Sequence, residues 1–211
     1  MWRTLRRSPA TVAFLVIAWS LYAGRLVVTH QFGQEAAHSL FVVRDTHLQY
    51  VWTWLTAPFG HGNVVHLVVN SLFAASIGPT AERTFGSKLT SVGFLVSGLL
   101  AASLGTVLVV AVRNPFLSDP VTAAALGSSM GLFGLVGMVC ERYRSHVVPL
   151  PGLQRAGVRN QTFFWLLLGV SVLGMLVDLW TSMADVSVPG LGHHFHLVGL
   201  LVGWVLSREV R

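Results

Sequence analysis

Long apolar blocks constrain the fold of this chain more than any other feature of its sequence. Six blocks approach the ~20 residues that a helix needs to cross a bilayer. Of the 211 residues, 53% are hydrophobic and only 10% are charged, whereas a soluble domain carries about 25% charged residues. The pattern predicts one all-α domain over residues 1–211, a polytopic membrane helix bundle. Its six predicted transmembrane helices cover residues 10–28, 64–79, 89–112, 121–140, 162–182 and 191–206.

The first block also has features of a secretory signal peptide, because Arg3, Arg6 and Arg7 precede it. Its apolar run continues beyond a signal-peptide core and five further blocks follow, so we interpret it as a membrane span. The one cysteine, Cys140, cannot form an internal disulfide. Packing alone must therefore hold the helices together.

The basic residues predict how the helices are oriented. If the N-terminus is cytoplasmic, 11 of the 14 Lys and Arg residues lie inside, while Arg44 and Arg113 lie outside and Arg25 lies within the first span. This bias predicts that both termini are cytoplasmic, and spans two, four and six then run in the same direction. Because the arginines lie at helix ends and not on one face, the net charge of +6 does not indicate a nucleic-acid partner.

Three polar clusters interrupt the predicted spans. Polar side chains within a membrane are costly unless they face a partner or a water-filled cavity. Small residues accompany the second and third clusters, which favours close approach of spans four and six. The clusters are His61, His66 and Asn70 in and before span two, Gly127 to Met130 in span four, and His193 to His196 with Gly199 and Gly203 in span six.

These clusters contain the groups of a nucleophilic site. A neutral histidine is the usual base that activates a serine hydroxyl near pH 7, so Ser129 and His196 could form a nucleophile–base pair. His66 and Asn70 are spaced i, i+4 and share one helix face. Together with the backbone N–H of Ser129 they could stabilise an oxyanion.

Two alternative interpretations compete with this site. Polar residues in membrane helices often serve only packing, and a serine usually bonds to the preceding turn. A dense histidine run can also bind metal, but the chain has no HExxH motif and few intramembrane carboxylates, of which Asp178 is the main candidate. We therefore predict no metal and no other cofactor.

The clusters resemble the motifs of the rhomboid family of intramembrane serine proteases, and the resemblance covers nearly the whole chain. The motifs are His61-x4-His66-x3-Asn70, Gly127-Ser128-Ser129, His196 followed by Gly199 and Gly203, and the pair Glu82-Arg83 after span two. The resemblance implies a six-helix core with a water-accessible cavity and no cofactor. It also implies cleavage of single-span or polytopic membrane-protein substrates within their transmembrane segments, near the outer face of the lipid bilayer.

The resemblance also implies a role for each site residue. Ser129 is expected to be the nucleophile and His196 the general base, without a third acid residue. Oxyanion stabilisation is expected from His66, Asn70 and the Ser129 backbone. The expected supporting residues are His61, Gly127, Gly199, Glu82 and Arg83, of which the last two are expected to brace the fold.

Residues 30–60 resemble the first external loop of that family, and residues 183–192 resemble the cap over its site. The chain departs from the usual family pattern at three positions. Met130 predicts an altered pocket, Phe195 predicts a changed approach of spans four and six, and Thr53 removes one expected anchoring contact of the first loop.

Two alternative functions are a catalytically silent relative that binds membrane clients and a small channel or metal carrier. Silent relatives typically lack the serine or the histidine, and a channel predicts more charged residues inside the bundle. The protease is therefore the favoured prediction. Because no organelle-targeting extension is evident, we expect an integral protein of a prokaryotic plasma membrane.

Overall fold

The protein is known from a computed structural model, which describes residues 5–44, 50–113, 115, 124–150, 153–183 and 192–210. The predicted loop cap therefore lies mostly outside the described residues, as do residues 121–123 of predicted span four. The helices within these ranges are α1 (Pro9–Phe41), α2 (Thr53–Thr56), α3 (Val64–Leu108), α4 (Ser129–Arg142), α5 (Asn160–Met183) and α6 (His193–Glu209). Short antiparallel ladders pair β1 (Val43–Arg44) with β2 (Ala124–Ala125), and β3 (Val147–Leu150) with β4 (Leu153–Arg159).

The centre of the bundle is the pair α4 and α6, which lie in backbone contact and run in the same direction. Gly199 and Gly203 of α6 face the backbone oxygens of Met130 and Gly134 of α4. A Cβ at either glycine would overlap the facing carbonyl, so the contact requires the missing side chains. The two contacts are one helical turn apart on both helices, which means that the helices stay in register.

The long helix α3 turns back on itself at Gly86, whose φ of 76° is a left-handed conformation that favours glycine. The first half ends beside the C-terminus of α4, where the Thr84 and Tyr143 hydroxyls lie 3.3 Å apart. The second half returns to the start of α6, where Gly105 packs against the ring of Phe195. Of the 45 residues of α3, 22 lie on each side of Gly86, and each half is therefore about 33 Å long.

The outer helices α1 and α5 run antiparallel to their neighbours. Residues later in α1 contact residues earlier in the first half of α3 or in the turn before it. Likewise, residues later in α5 contact residues earlier in α6. The contacting pairs are Thr11 with Glu82, Trp19 with Ser71, Arg25 with His61, Gly174 with His193, and Phe164 with Trp204. The helical segments that correspond to the six predicted spans thus alternate in direction.

The outer helices expose more apolar surface than the inner helices. Among the described residues, three helices are long and apolar enough to cross a membrane: Pro9–Phe41, Val64–Ala111 and Asn160–Thr181. Their large apolar side chains are widely exposed, as expected for surfaces that face lipid. Helices α4 and α6 have only 14 and 17 residues and are mostly enclosed, so the count of six membrane crossings stays a prediction.

Three predicted boundaries differ from the structure by more than about four residues. Span two was predicted to end at residue 79, whereas the first half of α3 continues to the kink at Gly86. Span one was predicted to end at residue 28, whereas α1 continues past a kink at Gly33 to Phe41. Span four was predicted to begin at residue 121, whereas α4 begins at Ser129. The apolar residues before Ser129 are extended and pair with β1, and an apolar run alone does not distinguish a buried extended segment from a helix.

The first external loop is anchored without the arginine that the resemblance leads one to expect. The indole N–H of Trp52 donates to the backbone oxygen of Ser39 at 2.8 Å. The hydroxyl of Thr53, a buried residue, donates to the backbone oxygen of Tyr50 at 2.6 Å. The β1–β2 ladder then ties this loop to the segment before α4, so the loop backs the start of that helix.

The contact between α4 and α6 predicts that Gly203→Ala destabilises the protein. The new methyl group would meet the backbone of Gly134, which cannot move as a side chain would, and such overpacking costs roughly 1–3 kcal/mol. The melting temperature should fall by roughly 2–12 °C, measured on purified protein in detergent. Gly169→Ala in α5 is the matched control, because no atom lies within 4 Å of its added Cβ. A Gly203→Ala protein as stable as this control would contradict the packing argument.

Candidate active site

A serine and a histidine meet at the start of the α4–α6 contact. The Oγ of Ser129 lies 2.8 Å from the Nε2 of His196. Ser129 is the first residue of α4 and His196 is the fourth residue of α6. In the tautomer whose Nε2 is unprotonated, the serine hydroxyl donates to the ring. This is the geometry of a nucleophile and its base.

The ring of His196 is held by a stacked aromatic neighbour. Phe133, one turn along α4 from Ser129, lies parallel to the imidazole, with ring centroids 4.4 Å apart and an interplanar angle of 3°. The ring of His193 meets the same imidazole edge-on at 6.3 Å. Stacking fixes the plane of the His196 ring, so its Nε2 stays directed at α4.

Gly127 packs closely against the ring of His66, next to the hydroxyl of Ser129. Its φ of 126° is one that L side chains rarely adopt. A Cβ at this position would lie 3.1 Å from the Nε2 of His66 and 3.6 Å from the Oγ of Ser129. The close contact therefore requires glycine at position 127 and brings the ring of His66 near the hydroxyl of Ser129.

Two further donors lie near the same end of the bundle. Asn70 is buried one turn beyond His66, and its Nδ2 has no hydrogen-bond partner among the described residues. The backbone N–H of Ser129 belongs to the first turn of α4, where amides have no intrahelical acceptor. The N-terminus of a helix also carries partial positive charge. These groups suit the stabilisation of a developing oxyanion.

His61 lies directly behind the serine segment and is fully buried. Its Nδ1 is 2.9 Å from the backbone oxygen of Phe59, and its Nε2 is 3.1 Å from the Oγ of Ser128. His61 precedes the first turn of α3 and lies outside the membrane-spanning helices. Burial lowers the pKa of this imidazole to about 4, so His61 is neutral near pH 7.

Arg25 lies near the site, although it was not among the predicted site residues. Its Nη1 donates to the backbone oxygens of His61 and Gly62, at 3.0 and 2.9 Å. Arg25 thereby ties α1 to the turn that carries His61 into the core. An arginine inside an apolar span is itself a signal of a polar partner nearby, but the sequence does not say which carbonyls it meets.

Glu82 and Arg83 lie at the other end of the bundle from Ser129, about 20 Å away along α4. The carboxylate of Glu82 accepts hydrogen bonds from the backbone N–H of Ala10 at 3.0 Å and of Thr11 at 2.7 Å. It therefore caps the N-terminus of α1. Arg83 donates to the Thr80 hydroxyl at 3.0 Å and makes no ion pair with Glu82 among the described residues. Both placements suit bracing and not chemistry.

The structure shows where the side chains of Met130 and Phe195 pack, two residues that depart from the usual family pattern. The Met130 side chain is buried among apolar residues of α3, α6 and the first loop. The Phe195 ring packs against Gly105 of α3. This contact directs the Phe195 ring at α3, and the predicted change in the approach of α4 and α6 stays a prediction.

Comparison with known proteins identifies the family. Residues 48–210, more than three-quarters of the chain, match the sequence profile of the Rhomboid domain. The chain belongs to the rhomboid family. The resemblance inferred from the motifs is thus confirmed, and the chain is an integral membrane protein. Members of this family are typically serine proteases and act on membrane-protein substrates within the lipid bilayer.

Two relatives show how far the similarity to other rhomboid proteins extends. RHOMBOID-like protein 7 of Arabidopsis thaliana is 26% identical over 161 residues, covering 76% of this chain and 43% of that protein. Rhomboid-related protein 3 of Homo sapiens is 28% identical over 213 residues, covering 95% of this chain and 47% of that protein. The chain spans less than half the length of either relative. Because both are eukaryotic, a prokaryotic plasma membrane stays a prediction.

The contacts of Glu82 predict that Glu82→Gln lowers stability. Glutamine lacks the charge that interacts with the N-terminus of α1, and its amide nitrogen cannot accept from a backbone N–H. Loss of charge-assisted hydrogen bonds should cost about 1–3 kcal/mol. The measurement is the melting temperature in detergent. Arg83→Ala is the neighbouring control, expected within about 0.5 kcal/mol of wild type because its contact is exposed. Equal melting of both variants and wild type would argue against a capping role.

Proposed function

We propose that this protein is an intramembrane serine endopeptidase that cleaves transmembrane segments of membrane-protein substrates. The observation that carries the proposal is the 2.8 Å contact between Ser129 Oγ and His196 Nε2. Family membership supports the same reaction. The substrate peptide would enter with its scissile carbonyl carbon near the serine hydroxyl and its oxygen directed at the donors around Ser129.

The reaction follows from the groups present. Ser129 Oγ attacks the carbonyl carbon while its proton passes to Nε2 of His196. The oxyanion is stabilised by His66, by the Nδ2 of Asn70 and by the backbone N–H of Ser129. Nε2 then gives the proton to the departing amine, which leaves an ester on Ser129. A water attacks that ester, its proton passes to Nε2, and the proton returns to Ser129 when the new carboxyl product leaves.

The arrangement supports activity near the outer face of the membrane. Arg83, Arg142 and Arg208 lie at the ends of the three parallel segments that point away from Ser129. Basic residues concentrate on the cytoplasmic side of membrane proteins. Both termini are then cytoplasmic, and the dyad lies nearer the opposite face, where it would meet the outer part of a substrate span.

The first test of this proposal is cleavage by wild type and Ser129→Ala in lipid vesicles. With a labelled single-span substrate, the variant should lose at least about 10³-fold in kcat while keeping the wild-type melting temperature, because the hydroxyl in contact with His196 is removed. The product masses should place the cut near the outer end of the span. Equal cleavage by both proteins would remove Ser129 from the mechanism. A folded wild type that binds but never cleaves a panel of substrates would favour a catalytically silent client-binding protein.

The unpaired amide of Asn70 predicts a loss of transition-state stabilisation in Asn70→Ala. Removing one oxyanion donor typically lowers kcat by about 10²–10³-fold, and KM should change little, because the bond strengthens as the oxyanion forms. The control is Val69→Ala, since Val69 is exposed on the neighbouring face. A change confined to KM would show that Asn70 binds substrate and does not stabilise the oxyanion.

A further inference from the structure

The hydroxyl of Ser128 is directed away from the helix end that it precedes. Ser128 is the residue before α4, yet its side chain makes no capping hydrogen bond. Its Oγ lies instead 3.1 Å from the Nε2 of His61, and both residues are 0% exposed. Serine is among the residues that most favour capping a helix N-terminus, so this diverted hydroxyl needs a physical reason.

The direction of this hydrogen bond follows from the other side of the His61 ring. The backbone oxygen of Phe59, 2.9 Å from Nδ1, can only accept, so Nδ1 carries the proton. A neutral imidazole then has an unprotonated Nε2. The Ser128 hydroxyl must donate to it. In this arrangement each polar atom of His61 and the hydroxyl proton of Ser128 has a partner without water.

The backbone of Ser128 sets the direction of the adjacent Ser129 N–H. Ser128 has φ −69° and ψ −14°, which is a helical conformation. A capping serine instead adopts an extended backbone while its oxygen accepts from an amide of the first turn. Since ψ of Ser128 orients the peptide bond to Ser129, a change to the extended region would rotate that N–H by more than about 100°.

We propose that His61 is a positioning residue that prevents Ser128 from capping α4. By accepting the Ser128 hydroxyl, His61 keeps the backbone of Ser128 helical and keeps the Ser129 N–H in the orientation that serves the oxyanion. Arg25, which bonds to the backbone oxygen of His61, holds this acceptor in place from α1. The inference rests on the proposed function, because it assigns a cause to the reactivity of Ser129.

A double-mutant cycle tests the proposal. In His61→Phe the Ser128 hydroxyl is buried without its acceptor, and capping the helix becomes its nearest alternative. In Ser128→Ala the competing hydroxyl is absent, and alanine favours the helical backbone. A merely structural role of His61 predicts that the double variant is no better than His61→Phe. Competition for the hydroxyl predicts that Ser128→Ala rescues His61→Phe.

The readout is the rate at which a fluorophosphonate probe forms its phosphonyl ester with Ser129 in lipid vesicles, with fluoride as the leaving group. We expect about a 100-fold slower rate for His61→Phe, similar to loss of an oxyanion donor. We expect about a threefold loss for Ser128→Ala, and recovery of at least about tenfold in the double variant relative to His61→Phe. His61→Gln should stay within about fivefold of wild type, because its amide oxygen can accept from Ser128.

The outcomes separate the two proposals. A wild type that the probe does not label at Ser129 would overturn the proposed function and this inference with it. A labelled wild type with no rescue in the double variant would overturn this inference alone. Melting temperatures are measured for every variant, and His61→Leu replaces His61→Phe in the same cycle if the phenylalanine variant does not purify folded.

Discussion

The backbone contact between α4 and α6 is the constraint on which the rest of the structure depends. Gly199 and Gly203 face carbonyl oxygens of α4 and have no side chain that could rotate to accommodate a shift. The two helices can therefore pack in only one register. That register fixes the distance between Ser129 and His196 at one end, and it brings Glu141 within 3.0 Å of Arg208 at the other. Both pairs are 67 residues apart in sequence, as expected for parallel helices with the same rise.

The surrounding helices differ from the inner pair in what their side chains contact. The apolar faces of α1, α3 and α5 supply the surface that lipid requires, whereas α4 is enclosed and needs little apolar bulk. Polar groups collect at the start of α4, where unpaired ones would be costly in a membrane. Most of them are satisfied by backbone atoms or by each other. The Nδ2 of Asn70 is an exception among the described residues. A buried donor without a partner is expected where the group binds a ligand or a reacting atom.

Much of this arrangement could be predicted from the sequence, because the chemistry depends on few residue types at fixed spacing. The i, i+4 spacing of His66 and Asn70, the paired serines and the glycines after His196 identified the polar cluster, and the structure brings these residues to one end of the bundle. The partners of Glu82 and Arg25 could not be predicted. Both side chains bond to backbone atoms of a distant segment of the chain, and such contacts leave no pattern in the partner's side chains.

The start of α4 shows why an error in a predicted boundary matters for function. Hydropathy places the beginning of the span near residue 121, which would put Ser129 in a helix interior. There its N–H would bond to a carbonyl of the preceding turn, and its hydroxyl would have the same carbonyls as near acceptors. At the first position of the helix the amide is free of that bond, and the extended segment before it permits the positive φ of Gly127. The proposed role of Ser129 as nucleophile therefore requires the helix to begin at this residue, and hydropathy alone does not predict that start.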